Sequence, residues 1–463
     1  VCGIAGGFGD INERVTLAAL RHRGPDAEGV KLIAGVTLVH TRLAVIDLDS
    51  RSDQPFTYGH TTITYSGEMW NYEALRGALE HDGCSFGTSG DTEVMAALLD
   101  RRGEAGLADI QGMFAVAWVR DDEGGIIRLA RDRHGETPLH LSLTIPRLFA
   151  SEKKTLMAMG VPRGAVAWVP PGHVVELRED GSARPRAWYK MPLGRSDDDL
   201  DTASERVITL IAEGARERTV ADAPVCALIS GGIDSTLVAL HAGVDVGYVA
   251  VRDPRSPDLR VARVVAEAYE MELREVVVPA PSAADAAGVV EAIEMPHKAQ
   301  VEIGWACLHL AERIAADGYK VVLSGEGSDE LWASYGMSYH GVKKDGWFEY
   351  RRKLFRAQHR KNFARCNKVF MAKGVECRLP FLNTGLVEYA LSLPEASVRR
   401  GGRLKAVLEV ASWGDVPEAV LTRGKLAFQD GMGIKEDFGR AVSNPAAFYR
   451  AEHNRIYGRE DVR

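Results

Sequence analysis

The stretch with the clearest chemistry is VCALISGGIDSTLVAL (225–240). In it a short apolar run meets Ser230-Gly231-Gly232, and Asp234-Ser235-Thr236 then opens an apolar-periodic helix. Two glycines let backbone amides approach an oxyanion closely, and a helix N-terminus adds unpaired N–H groups and a favourable dipole. That combination suits a phosphate or pyrophosphate. No Gly-Lys-Ser/Thr follows the glycines, so this is not a Walker A loop. The bland alternative is a Gly-rich strand-to-helix turn with Asp234 as its cap. A second turn, VVLSGEGSDELW (321–332), repeats the layout and supplies Glu326, Asp329 and Glu330. Magnesium takes hard oxygen ligands, commonly one or two carboxylates plus phosphate oxygens. Asp234 and Asp329, each just past an expected strand, are the candidates to supply them, because open α/β sheets bind ligands at that end.

The elements that must position these turns follow from pattern. Short strands are expected at VCALI (225–229), VGYVAV (246–251) and KVVLSG (320–325), separated by helical periodicity that begins at TASERVITLIAEGARERT. Strands alternating with helices imply a parallel sheet in an α/β domain, and beyond about residue 340 the pattern is mostly helical. The first ~190 residues read differently. There, β-type runs such as VTLVHTRLAVIDL, TTITYSGEMW, GMFAVAWV and IIRLARD are broken by Gly, Pro and Asp clusters, with helices at NYEALRGALE and GDTEVMAALLDRRG. The expected organisation is an α+β domain over 1–190, a charged linker MPLGRSDDDLD over 191–201, and an α/β domain with a helical C-terminal part over 202–463.

Bulk properties narrow the class. The chain has 463 residues, 46% hydrophobic and 26% charged, with a net charge of −7. That balance argues against a general nucleic-acid or anionic-membrane binder. No stretch approaches eighteen uncharged apolar residues, and no secretory signal pattern opens the chain. The six cysteines are scattered without a CxxC pair. Neither a disulfide framework nor a zinc site is implied, and a cytoplasmic setting is expected.

The motifs SGGIDST, SPDLRVA, LSGEGSDEL, GVECRLPFL and TRGKLAFQDGMG together resemble the asparagine synthetase family of glutamine-dependent amidotransferases, and the likeness runs from residue 2 to about 440. The resemblance implies that ATP activates a carboxylate as its acyl-adenylate and that ammonia then displaces AMP. By position it implies that Ser230, Gly231, Gly232, Asp234 and Ser235 hold pyrophosphate and magnesium. Leu228 and Val251 would pack on adenine, and Ser324 and Gly325 would lie near the nucleotide and the acyl-adenylate. Glu326 would favour ammonia transfer. Lys425 would stabilise charge on the transferring phosphate. A homodimer is left open.

The first half resembles the glutaminase of the same family, an N-terminal-nucleophile hydrolase with an αββα sandwich, through CGIAG, RHRGPD, HTRLAVID, SGEMWNY, GDTEV, RDRHGETPL and ASEKK. The resemblance makes Cys2 the nucleophile and its α-amino group the base. Arg42 would grip the carboxylate of glutamine, Glu68 and Asp91 its α-ammonium and neighbouring donors, and Gly67 N–H the oxyanion. One departure stands out. The family's Asn-Gly-Glu is Ser66-Gly67-Glu68 here, and loss of an oxyanion donor costs on the order of a hundredfold in rate. Val1 precedes Cys2, and a peptide nitrogen is not basic. A GTG start codon, written as valine but read as methionine and then removed, would leave Cys2 first.

The acceptor is the second departure. Where the family carries a segment like ETxDxTTxR, this chain reads EMPHKAQVE from Glu294 to Glu302, and WASY (332–335) replaces FGGY. Threonines become Ala299 and Gln300, and an arginine becomes Glu302. A lost cation where aspartate's charges must be balanced points to another small-molecule carboxylic acid. The opposing reading lets Lys298 or His297 restore that charge, leaving an asparagine synthetase. Two rivals remain: a β-lactam-synthetase type, which lacks the leading cysteine and has Tyr where Glu326 stands, and an RNA-modifying pyrophosphate-loop enzyme. For the latter, EYRRKLFRAQHRKNFAR (349–365) is the basic helical run, which more often is a solvated face. RCNKVFMAKGVECRLPFL (365–382) resembles the inter-domain segment along which ammonia travels, with Arg365, Lys368, Glu376 and Arg378 lining that path or bracing the interface.

Overall fold

The structure is a computed structural model and describes residues 1–422 and 434–458. Its first half carries twelve strands: β1 (Gly3–Phe8), β2 (Ala27–Ile33), β3 (Val36–Arg42), β4 (Phe56–Tyr58), β5 (Thr61–Met69), β6 (Gly112–Arg120), β7 (Ile127–Arg131), β8 (His140–Ser142), β9 (Leu148–Ala150), β10 (Val166–Trp168), β11 (His173–Leu177) and β12 (Ala183–Ala187). They form two six-stranded sheets, ordered β10-β8-β9-β1-β3-β2 and β12-β11-β7-β6-β5-β4.

Side-chain alternation explains the stacking. Along β6, Ala115, Ala117 and Val119 face the first sheet with Ile4 and Phe8, while Phe114, Val116 and Trp118 face the other way. That second face is covered by α2 (Tyr72–His81) and α3 (Asp91–Arg102). The outer face of the first sheet carries α1 (Glu13–Leu20) and α4 (Lys153–Ala158), packed through Leu20 and Leu156 on Ala5 and Val39. Strand period two thus builds a helix–sheet–sheet–helix sandwich, as the resemblance implied.

Residues 189–199 have no regular structure but are stitched down. Ser196 N–H donates to Ser392 O, and Asp198 accepts from Tyr389. The second half begins with α5 (Leu200–Glu217) and a parallel sheet of β13 (Val225–Leu228), β14 (Val246–Val251), β15 (Glu272–Val277), β16 (Val321–Leu323) and β17 (Glu376–Arg378). The order is β15-β14-β13-β16-β17. β13 lies between β14 and β16, so the chain leaves it in opposite directions on the two sides. The loops after β13 and β16 therefore flank a crevice at the carboxyl ends of the strands. Around the sheet lie α6 (Ile233–Ala242), α7 (Pro257–Ala268), α8 (Ala283–Ile293), α9 (Lys298–Ala316), α10 (Ser328–Trp332), α11 (Ser338–Asp345), α12 (Trp347–Arg356) and α13 (Asn362–Met371).

The basic run departs from the solvated-face reading. Arg351 and Arg365 are buried, and the run is α12, a 3-10 turn and the start of α13 rather than one helix. Among the described residues no helix is long and apolar enough to cross a membrane.

Candidate active sites

The crevice opens into a cavity of about 1140 Å³. Leu228, Ser230, Gly232, Asp234, Ser235, Val251, Ser324, Gly325, Glu326 and Asp329 all line it. Gly231 does not. Its φ is +70° and an added Cβ would lie 2.7 Å from Asp258 O, so its part is to turn the chain tightly beside α7. Gly325 brings the two loops together, since a Cβ there would stand 2.8 Å from Ser235 N. Ser230 and Ser235 hydroxyls lie 2.9 Å apart, and Ser235 Oγ also donates to Gly232 O, which holds the loop before α6 in shape. The first-turn N–H groups of α6 have no intrahelical acceptors, as at any helix start.

Asp234 and Asp329 converge as expected, but with a partner that local pattern did not reveal. Lys405 Nζ lies 2.5 Å from Asp234 Oδ2 and 2.6 Å from Asp329 Oδ1. Ser328 Oγ donates to the other Asp234 oxygen, and Ser334 Oγ donates to Asp329. Burial lowers the Lys405 pKa, but the two carboxylates outweigh it and hold the ammonium well above its ordinary range. Two carboxylates within reach of one cation are a donor set that fits magnesium. Lys425 lies outside the described residues.

The second cluster of candidate residues is in the sandwich. Cys2 is buried, and its Sγ lies 3.8 Å from Leu43 O, to which it donates. Burial pushes the thiol up. Ser66 Oγ donates to Cys2 O at 2.8 Å, so its hydroxyl is turned to the backbone of Cys2. Gly67 and Glu68 follow on β5. Glu68 is pushed up to about 7, mainly by burial and then by Asp91. Asp91 accepts from Tyr65 OH and Met69 N–H, and burial raises it as well. Arg42 is committed to its own loop, with Nη1 donating to Asp49 O and Asp53 Oδ1, each at 2.7 Å, and Nη2 to Asp47 O. A ligand carboxylate here would take the place of Asp53. Val1 is buried, its amino nitrogen against Glu376 and 3.9 Å from Glu68.

Residues 1–184 match the glutamine amidotransferase domain family, and residues 206–365 and 350–444 match the asparagine synthase family. The chain belongs to the asparagine synthase family. It is 31% identical over 441 residues to asparagine synthetase [glutamine-hydrolyzing] 3 of Arabidopsis thaliana, covering 89% of this chain and 75% of that protein. It is 30% identical over 464 residues to asparagine synthetase B [glutamine-hydrolyzing] of Escherichia coli (strain K12), covering 92% and 81%. A third relative, from Zea mays, is 30% identical over 442 residues, covering 89% and 74%.

Within this family member the substituted acceptor segment divides in two. Ala299 and Gln300 line the synthetase cavity; Glu302 does not. Glu302 is buried in α9 with Lys298 Nζ 3.7 Å away. Of the substituted positions, Gln300 is the one on the cavity wall whose side-chain bonds are described. Its Oε1 accepts from Arg365 at 3.0 Å, and its Nε2 donates to Asn362 at 2.6 Å. Arg365 also bonds Glu326, and Asn362 bonds Glu330, which burial pushes up to about 8.

The two pockets of this asparagine synthase relative meet through buried charges. Arg23 donates from Nε to Cys2 O at 3.1 Å, from Nη1 to Glu152 at 2.8 Å and from Nη2 to Asn367 at 2.9 Å. Glu294 caps α4 by accepting from Lys153 N–H and Lys154 N–H, and it also pairs with Lys368. Arg378 pairs with Glu376 and lies over Trp70. Removing one partner of such a buried pair costs about 3–5 kcal/mol, because the other charge stays desolvated. Short-range pattern carries no sign of these contacts.

Proposed function

We propose that the chain makes an amide from a carboxylic acid other than aspartate, using nitrogen released from glutamine at Cys2 and ATP bound in the 1140 Å³ cavity. The reaction class follows from the family: carbon–nitrogen ligation with glutamine as nitrogen donor and ATP as the energy source. The observation that carries the acceptor reading is Gln300, which occupies two groups of the cavity wall, Arg365 and Asn362.

On this reading the acceptor carboxylate attacks the α-phosphorus of ATP, and pyrophosphate leaves toward the loop Ser230–Ser235, whose amides and helix N-terminus receive it. Asp234 and Asp329 would hold magnesium, which when bound neutralises phosphate charge. Lys405 keeps those two carboxylates close together. At the other site the Cys2 thiol attacks the side-chain amide of glutamine, with Gly67 N–H facing the oxyanion. Ammonia leaves as the glutamyl thioester forms, and water hydrolyses that thioester to glutamate. The ammonia then attacks the acyl-adenylate and displaces AMP. The base would be the α-amine of Cys2, which requires a chain that starts there. Cys366, Cys307 and Phe370 form an apolar part of the synthetase wall, suited to passing neutral ammonia.

The test uses protein whose first residue, by intact mass, is Cys2. Glutamate release from glutamine should fall at least ~1000-fold in Cys2→Ala, as expected when a covalent nucleophile is removed. AMP formation supported by ammonium salts should persist in that variant. Robust AMP formation with aspartate, above that with other acids, would return the acceptor to aspartate.

A further inference from the structure

Five lysine and arginine side chains line the synthetase cavity among the described residues. Four are spoken for. Arg252 pairs with Asp437, Arg403 with Glu409, Lys405 with Asp234 and Asp329, and Arg365 with Glu326. Lys361 is exposed, and among the described residues its ammonium has no ion-pair partner. It stands at the end of the basic run, just before α13.

We propose that Lys361 anchors a second anionic group of the acceptor, and that this group lies farther from the amidated carboxylate than the two carboxylates of aspartate lie from each other. The inference deepens the adenylation reading and rests on it. The cation nearest the acidic turn is Arg365, whose Nη2 is held by Glu326 and whose Nη1 is held by Gln300. An anion on the acceptor therefore gains little there. Lys361 stands at the N-cap of α13, where its carbonyl accepts from Arg365 N–H at 2.8 Å, so the two residues are separated by about one helical turn. An ammonium with no ion-pair partner among the described residues can pair with a ligand anion without first giving up a carboxylate. An acid long enough to keep one carboxylate at the α-phosphorus and place another charge at Lys361 satisfies both ends. Aspartate, with two carbons between its carboxylates, falls short.

The test is AMP release with ATP, ammonium chloride and a length series of diacids (malonate, succinate, glutarate, adipate) beside aspartate, 2-aminoadipate and the monoacid butanoate. The longer diacids should be turned over at least ~10-fold faster than succinate, aspartate or butanoate. Lys361→Gln should abolish that advantage and leave KM for ATP and glutamate release unchanged, while Lys361→Arg keeps it. A preference for butanoate, a length series unmoved by Lys361→Gln, or a raised KM for ATP (a cation serving the nucleotide) would each overturn the proposal. Absence of AMP with every acid would instead count against the ligase reading. Calorimetric binding of glutarate against butanoate to wild type and Lys361→Gln then decides the anchor by itself: selective binding lost in the variant supports it, equal binding sinks it.

Discussion

In the glutaminase pocket, Arg42, Ser66, Glu68 and Asp91 stand on or beside strands and the start of α3, and each is less than a tenth exposed. In the synthetase cavity, Asp234, Glu326 and Asp329 stand at loops after strands or in the helices those loops lead into, with side chains 23–28% exposed. The two places balance charge by different means. Deep in the sandwich, desolvation raises the Glu68 and Asp91 carboxyls toward the neutral form. At the carboxyl end of the parallel sheet the acidic side chains are paired with cations, Lys405 shared by Asp234 and Asp329, and Arg365 on Glu326. Of the substituted segment, Ala299 and Gln300 lie on the wall of this second site, and Gln300 is itself buried there.

The largest effect that could break this contrast is at Lys405. Lys405→Met leaves Asp234 and Asp329 facing each other without their cation, so AMP formation should drop on the order of 100-fold. Glutamate release should not change. A parallel fall in both activities would show that the two pockets do not rest on separate charge systems.

Ser66→Asn comes next. Its hydroxyl is bound to Cys2 O, so it gives the oxyanion nothing, and an amide side chain reaches farther. Glutamate release should rise by up to about a hundredfold, the worth of one such donor. An unchanged rate would mean that another group already supports the oxyanion.

The smallest effect concerns pH. The Glu68 carboxyl, held at about 7 by burial, is ionised above that value and neutral below it. Only the ionised form balances the α-ammonium of glutamine, so KM for glutamine should rise several-fold as pH is lowered through about 7. Glu68→Gln should flatten the profile, and KM for ATP should stay level over the same range. A glutamine KM that ignores pH would place the ammonium elsewhere.

How far the site was legible depended on sequence distance. Asp234 and the serines around it form one turn, and their role as a turn follows from two glycines between a strand and a helix. β15 carries charged residues in ELREVV and β17 is three residues long, so neither showed as a strand by periodicity. That Ala299 and Gln300 line the cavity while Glu302 does not could not be read from linear spacing, which cannot say which side of a helix faces a cavity that other elements enclose. The basic run looked like a surface for a related reason: Arg351 is satisfied by the carbonyls of Leu331, Ala390 and Leu393, two of them some forty residues away.

Sequence alone determined the local features: the Gly-rich turn after β13, the acidic turn after β16, Cys2 beside the first residue, and Ser66 before Gly67 and Glu68. These depend on neighbouring residues, whose backbone geometry is set within a few positions. The tertiary structure decided which charges meet. Lys405 between two aspartates, Arg23 at the carbonyl of Cys2, Glu294 under α4, and Lys361 without an ion-pair partner among the described residues are contacts, or missing contacts, across tens to hundreds of residues. Ionic interaction depends on separation in space and on burial, and neither is encoded in spacing along the chain.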